Sequence, residues 1–310
     1  MAHSIDFTDK RKPSAHSASP TRPGPSLITI EDVSYAPLRA SLSLGFIRDG
    51  ETTRLVDRDH FGPLLVQKPF YPEGRELCQV VVIHPPGGVV GGDQLAIAAR
   101  IGAAGRAQIT TPGAAKWYKA NGHISRQNIT LEIGSGGSLE WLPQETIFFD
   151  NAHVELEHNV KLGKEASYIG CEILCFGRTA SGESFNGGRI HQRVGVHRDG
   201  KMIWYEQLNL SGGSPAMRNP LLLAGSTVCA TLIAVGQTVP ATVLEAARES
   251  AAAITAGRGQ AGISQLKGLV LARYLGNSSE VARWLMLDVW KHLRPAMLGR
   301  EAMVPRVWNT

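Results

Sequence analysis

The stretch Asn128-Ile129-Thr130-Leu131-Glu132-Ile133 alternates polar and apolar residues, and Gly134-Ser135-Gly136-Gly137 follows it at once. Apolar residues two apart line one face of an extended strand, and a cluster of glycine and serine marks the turn that ends it. The same alternation recurs before and after this stretch, in residues 38–44 and 153–157. These patterns predict a chain of short strands joined by tight turns.

The region between residues 36 and 236 contains strand patterns throughout and no convincing helical period. The run Val80-Val81-Val82-Ile83 is apolar without interruption, which predicts a strand covered on both faces. The fold class predicted from the residues is therefore mainly β, with sheets stacked on one another and many short turns.

The end of the chain has a different pattern and predicts a small β-α-β-α part with two helices. Residues 226–235 and 268–275 favour strands. Thr242-Val243-Leu244-Glu245 is typical of a capping box and predicts a helix that ends near Thr255. A second capping box, from Asn277 to Glu280, predicts a helix that ends near Arg294.

Residues 1–33 are rich in serine, proline and charged residues, and they cannot bury enough apolar surface to offset the entropy of ordering them. We predict a disordered tail there. Residues 34–310 are predicted to form one domain, with a β-rich body over 34–236 and a helix-containing part over 237–310. A chain of 310 residues is long enough to bury a stable core without disulfides.

Composition excludes several classes of function. The formal net charge of +5 is scattered and does not alternate with aromatic residues, which argues against nucleic-acid binding. No stretch of about 20 apolar residues predicts a membrane span. The four cysteines form no Cys-x-x-Cys pair and favour reduced thiols in a cytoplasmic protein. In a strand, Cys171 and Cys175 would share one face while Glu172 points the other way.

The segment His84-Pro85-Pro86-Gly87-Gly88-Val89-Val90-Gly91-Gly92-Asp93 is the most unusual in the chain. It lacks the lysine of a P-loop and the spacing of a dinucleotide-binding loop, and it ends in a carboxylate that would repel phosphate. Nucleotide binding is therefore not predicted. A turn between buried strands and a loop at a protein interface remain as interpretations.

Acidic residues among bulky apolar residues are the strongest chemical signal. Glu140, Glu145 and Asp150 lie in one such segment, where they could serve acid-base chemistry, bind a cation or form surface ion pairs. Glu172 and Glu206 each stand alone in an apolar stretch, where a charge is costly unless it is paired or binds a cation. The ten histidines are dispersed, so a tight metal site is not predicted. No Gly-x-Ser-x-Gly hydrolase motif occurs.

These segments, in this order, resemble the UreD family of urease accessory proteins, called UreH in some systems. The resemblance extends over residues 36–310 and is carried by HPPGGVVGGD (84–93), TTPGAAKWYKANG (110–122), LEWLPQETIFFDNA (139–152), GRTASGESFNGG (177–188), WYEQLNL (204–210) and DVWKHLRPAMLGREAMVPRVWNT (288–310).

The resemblance implies a β-helix-like stack of strands with a small helical part and no catalytic activity. It implies binding to apo-urease (UreABC) and recruitment of UreF, which engages the GTPase UreG. It also implies a role in nickel insertion, with an internal tunnel as a route for Ni²⁺ and no tightly bound cofactor.

Carboxylates suit a nickel path because they bind the ion weakly and release it quickly, whereas thiolates would retain it. We therefore select Glu76, Asp93, Glu172 and Glu206 as candidate ligands for transient Ni²⁺. Two alternatives stay open, a passive adaptor that never contacts nickel and an enzyme that uses the acids around 140–150 and Glu183. The terminus at 305–308 is interpreted either as a docking element or as a tail packed on its own domain.

Overall fold

The computed structural model describes residues 36–309, so the predicted disordered tail lies outside the described residues. The predicted subdivision at residue 236 stays a prediction. The strands are β1 Arg39–Asp49, β2 Thr52–Phe61, β3 Leu65–Val66, β4 Cys78–Ile83, β5 Gln94–Ile101, β6 Arg106–Thr110, β7 Ala115–Trp117, β8 Ser125–Ile133, β9 Ser138–Leu142, β10 Thr146–Phe148, β11 His153–Leu162, β12 Ser167–Phe176, β13 Arg189–Arg198, β14 Lys201–Ser211, β15 Val228–Val235, β16 Gly259–Leu266 and β17 Leu269–Gly276. The helices are α1 Pro215–Arg218, α2 Ala241–Thr255 and α3 Ser279–Leu298.

The longer strands form two sheets that the chain visits in turn. Sheet 1 has the order β14-β13-β11-β8-β5-β1-β2, and sheet 2 has the order β16-β17-β15-β12-β9-β6-β4-β3. Successive coils pair in parallel. In sheet 1, β5 pairs with β8 and β8 pairs with β11; in sheet 2, β6 pairs with β9 and β9 pairs with β12. Antiparallel strands finish the stack, since β2 pairs with β1 and β14 with β13. This is a β-solenoid of stacked coils, and the predicted fold class is confirmed.

The glycines that follow the strands allow the turns of successive coils to stack. The backbone N–H groups of Gly102, Gly134 and Gly163 donate to Phe46, Ile101 and Ile133 of the preceding coil, each over 2.8 Å. A Cβ on Gly134 would lie 2.9 Å from the backbone nitrogen of Ala103. Because the backbones approach this closely, only residues without a side chain fit, which is why a glycine cluster follows β8.

Two apolar layers hold the fold together. The first lies between the sheets and includes Leu42, Ile109 and Leu131. The second lies between the outer face of sheet 2 and helices α2 and α3. In β4 the side chains of Val80 to Val82 are all buried, which confirms the prediction of a strand covered on both faces.

The C-terminal part contains the two predicted helices, and α2 ends at Thr255 as predicted, but both helices begin at caps other than those predicted. Helix α2 begins at Ala241 with Pro240 at its N-cap, so the Thr242 box does not cap it. Helix α3 is capped by Ser278, whose hydroxyl accepts from the Val281 N–H over 3.2 Å. The side chain of Asn277 instead accepts from the Thr227 N–H over 3.0 Å.

Helix α3 also extends further than predicted, and one strand was missed. It continues through Pro295 to Leu298, and Gly299 ends it with a φ of 65°. The proline lies in the last turn, where the side chain of the neighbouring Arg294 is held by buried partners. Strand β16 pairs with β17 and is absent from the prediction, because its exposed, glycine-containing sequence lacks clear alternation.

Candidate functional site

A partly enclosed space of about 130 Å³ lies between the two sheets. Strands β8, β11, β13 and β14 line it from sheet 1, and β9, β12 and β15 line it from sheet 2. Its volume has room for several water molecules. We call it the inter-sheet cavity.

The register of the strands explains which side chains face the inter-sheet cavity. In sheet 1, Gln127, Leu156 and Gln192 form one cross-strand row. The next row contains His158 and continues through Val194 to Glu206. In sheet 2, Glu172 is paired with Thr231. Inward positions of these strands are therefore polar at the centre of an otherwise apolar layer.

Glu172 lies within the inter-sheet cavity and joins the two sheets. Its Oε2 accepts from the Nε2 of Gln192 over 2.5 Å. Burial raises the pKa of Glu172 to about 7, the hydrogen bond from Gln192 lowers it, and the nearby charge of Glu206 raises it. The surface that this half-buried side chain exposes borders the cavity.

Glu206 lines the same cavity from β14, at the end of sheet 1. Its Oε2 lies 2.9 Å from Nη2 of Arg273 on β17. The ion pair therefore connects the last strand of sheet 1 with sheet 2. The structure thus brings together, at the inter-sheet cavity, two of the four predicted site residues, Glu172 and Glu206.

The other two predicted residues lie elsewhere. The carboxylate of Asp93 accepts from the N–H groups of Val90 and Leu38, over 2.9 and 3.0 Å, and so fixes the turn of the 84–93 loop. Glu76 is paired with Arg106 and Arg300, over 3.2 and 2.5 Å. Neither carboxylate lines the inter-sheet cavity.

Sequence reasoning did not select His158, Tyr168 and Gln192 as site residues. Burial lowers the pKa of His158 to about 4, so its imidazole is neutral near pH 7. The Tyr168 hydroxyl lies 3.4 Å from its Nε2. The sequence signal that could have identified two of them is their position, because His158 and Gln192 occupy inward positions of strands whose other inward residues are apolar.

The acids assigned to an enzyme do not converge on the cavity. Glu140 is 1% exposed and binds Arg294 over 2.9 Å, and Glu145 binds Arg283 over 2.6 Å. Asp150 accepts from the backbone N–H groups of Asn186 and Gly187. Glu183 is paired with Arg178. Each of these carboxylates stabilises the fold, so the carboxylate-enzyme alternative loses its structural basis.

The remaining sequence interpretations concern the cysteines and the C-terminus. All four cysteines are free, and Cys175 packs towards the helices while Glu172 faces the cavity. Trp308 donates its Nε1–H to the Oγ1 of Thr110 over 2.8 Å, and Pro305 is buried. The segment 305–308 therefore packs on its own domain.

The side chains and helices of residues 36–309 bear on metal binding and on membrane spanning. Within residues 36–309, no group of three histidine, cysteine, aspartate or glutamate side chains is arranged to hold a metal ion. In the same part of the chain, no helix is both long and apolar enough to cross a membrane.

Comparison with known proteins identifies the family. A family model described as UreD urease accessory protein matches residues 38–309. A urease accessory protein UreD from Nitrosospira multiformis is 57% identical over 277 residues, which cover 89% of this chain and 99% of the relative. The corresponding protein from Janthinobacterium sp. (strain Marseille) is 55% identical over 272 residues, or 88% of this chain and 92% of the relative. The one from Dechloromonas aromatica is 46% identical over 289 residues, or 92% and 99%. The chain belongs to the UreD family of urease accessory proteins.

Proposed function

We propose that this accessory protein supports urease maturation by binding apo-urease (UreABC) and providing an internal path for Ni²⁺. The observation that carries the proposal is the pair of carboxylates, Glu172 and Glu206, in a cavity between the sheets. A buried carboxylate without a cationic partner is costly, and Glu172 has only the neutral Gln192 as a hydrogen-bond partner among the described residues. A passing cation would compensate this charge.

The other groups around the cavity suit weak and reversible binding of the ion. The neutral imidazole of His158 and the carboxylate and amide oxygens are ligands that Ni²⁺ accepts. Burial raises the pKa of Cys171 and of Cys229 to about 12, so both thiols stay protonated near pH 7. A protonated thiol is a poor metal ligand, and the cysteines would therefore not retain the ion.

The proposed partners follow from family membership. UreF would bind this chain and recruit UreG, and UreG would supply GTP hydrolysis, since this sequence has no P-loop. The cytoplasm is the compartment in which we expect the complex to act. Nickel is the cargo of the complex in this proposal, and no resident cofactor is required.

Reconstitution with a neutral variant tests the proposal. Purified apo-urease, UreF, UreG, GTP, bicarbonate and limiting Ni²⁺ are incubated with the native chain or with Glu172→Gln, and urea hydrolysis is followed. Glu172→Gln keeps the shape and can still accept from Gln192 but removes the charge, so we expect activation to fall roughly tenfold, which corresponds to about 1.4 kcal/mol of lost ion stabilisation.

A matched control is Glu155→Gln, which removes a carboxylate from β11 whose partner is Arg126 at 2.7 Å, outside the cavity lining. We expect this variant to activate urease normally. Normal activation by Glu172→Gln, with complexes intact, would favour the passive adaptor over the nickel path.

A further inference from the structure

The inter-sheet cavity is adjacent to a depression in the protein surface. Leu222, Gln260, Gly262 and Arg273 are among the residues that line this depression. Cys229 lines both the depression and the cavity. The two spaces therefore share a wall at Cys229, and we call Cys229, Thr231 and Arg273, which line the spaces on either side of it, the partition.

Strand register places Arg273 in the partition. Glu172 on β12 is paired with Thr231 on β15, and Thr231 is paired with Arg273 on β17. Glu172 and Thr231 line the cavity, whereas Arg273 lines the depression. With neighbouring strands about 4.8 Å apart, the row passes from the cavity to the surface within roughly 10 Å.

At the surface end of this row, Arg273 forms an ion pair with Glu206. Glu206 lines the cavity, and its Oε2 lies 2.9 Å from Nη2 of Arg273. The side chain of Arg273 is 46% exposed and that of Glu206 is 27% exposed. An ion pair with this exposure contributes little to stability, so it can open and close readily.

The neighbour beyond Arg273 leaves room for the guanidinium to move. Arg273 is paired with Gly262 on β16, and a Cβ built on Gly262 would meet no atom within 4 Å. No lysine or arginine lines the inter-sheet cavity among the described residues. Arg273 is thus the positive group at this side of a space that contains two carboxylates.

We propose that Arg273 is a movable closure of the inter-sheet cavity, which swings over Gly262 to admit a divalent cation and to free Glu206 as its ligand. While the pair is closed, the guanidinium occupies the carboxylate and repels cations. When Arg273 moves outwards, the row of Thr231 and Glu172 becomes continuous with the surface depression. This inference rests on the proposed function, because it assigns the regulation of the same cavity.

A thiol inside the partition measures opening directly. The full chain carries Thr231→Cys in a Cys229→Ser background, and a small cationic methanethiosulfonate labels the introduced thiol, with peptide mass spectrometry to separate it from the native cysteines. Adding Arg273→Gln should accelerate labelling about threefold to fivefold, the factor expected when an ion pair of this exposure is lost. Adding Gly262→Val should slow labelling, because the side chain fills the space that Arg273 needs.

Arg126→Gln is the control, since it breaks the ion pair of Arg126 with Glu155, and neither of these two residues lines the cavity. Unchanged labelling in Arg273→Gln, or faster labelling in Gly262→Val, would overturn the closure. If Arg273→Gln fails to fold, Gly262→Val decides alone.

The experiments distinguish failure of the nickel path from failure of the closure. Reduced activation by Glu172→Gln with unchanged labelling in Arg273→Gln keeps the path and rejects the closure. Faster labelling with normal activation by Glu172→Gln keeps the closure and rejects the path.

Discussion

Buried titratable side chains in the inter-sheet cavity make the stability of the protein depend on pH. Burial lowers the pKa of His158 from an ordinary 6.5 to about 4, so the unfolded chain binds more protons between these values. The contribution of His158 is therefore complete above pH 6.5 and is lost as pH falls towards 4. Glu172 acts in the opposite direction. Its pKa rises from 4.5 to about 7, so its contribution is complete below pH 4.5 and is lost as pH rises through 7.

Single substitutions should separate the two effects. We expect His158→Gln to lose less stability than the native chain as pH falls from 6.5 to 4, and Glu172→Gln to lose less as pH rises from 4.5 to 7. The measurement is the free energy of unfolding in urea at intervals of pH, compared with the native chain. Parallel curves for native chain and His158→Gln would show that the imidazole is not held neutral by burial.

At the scale of elements, a buried arginine links helix α3 to the solenoid. Arg294 has no exposed surface, and its Nε and Nη1 bind Glu140 on β9 and Glu73 over 2.9 and 2.6 Å. Trp290 of the same helix donates its Nε1–H to Glu140 over 2.7 Å. These bonds connect residues that are 150 or more positions apart in sequence, so the helix and the strands stabilise each other.

Removing this arginine should be costly. Arg294→Met leaves two buried carboxylates without their cation, and we expect a loss of about 3–5 kcal/mol in the free energy of unfolding. The control Arg54→Met breaks an exposed ion pair with Asp49 and should cost at most about 1 kcal/mol. Equal losses in the two variants, measured by urea denaturation, would contradict the assigned role. The double variant Arg294→Met with Glu140→Gln should recover part of the loss.

At the largest scale, residues 37–309 form two stacked sheets with helices on one outer face, so the helical part covers a surface that is apolar. Ile169, Ile173 and Leu232 of sheet 2 are buried beneath α2 and α3. A chain that ends after Val235 would expose these residues and lose strands β16 and β17. Large exposed apolar patches lead to association.

We expect the truncated chain to accumulate as aggregates, whereas a chain that begins at Ala36 should fold normally, because the composition of residues 1–33 predicts a disordered tail. Size-exclusion chromatography and circular dichroism of both truncations check this expectation. A monomeric, folded chain without residues 236–310 would show that the helices are not needed to cover sheet 2.

The sequence predicts strands such as β8 and β11 well because they carry their own alternation, which is a local property, whereas β16 lacks it and was missed. The stacking of coils depends on which strand lies beside which, and it entered only through family resemblance. Glu172 and Glu206 could be selected because a charge among apolar residues is costly wherever the strand lies. Asp93 gave a similar signal but uses backbone N–H groups as partners, and sequence does not show those. Gln192 and His158 became meaningful only once opposite strands were known.

The reversal of direction at the ends of the coil stack limits the growth of the structure. Every coil of a parallel stack has the same backbone hydrogen-bonding pattern. An uncovered terminal coil could therefore pair with a coil of another chain, and repeated pairing would form a filament. Here β2 covers one end in the opposite direction, and it carries Arg54, Asp57, Arg58 and Asp59 along an exposed strand. Charged residues on an edge strand disfavour pairing with a second chain. The charged residues of β2 thus disfavour polymerisation, and this effect is independent of the cavity and of nickel.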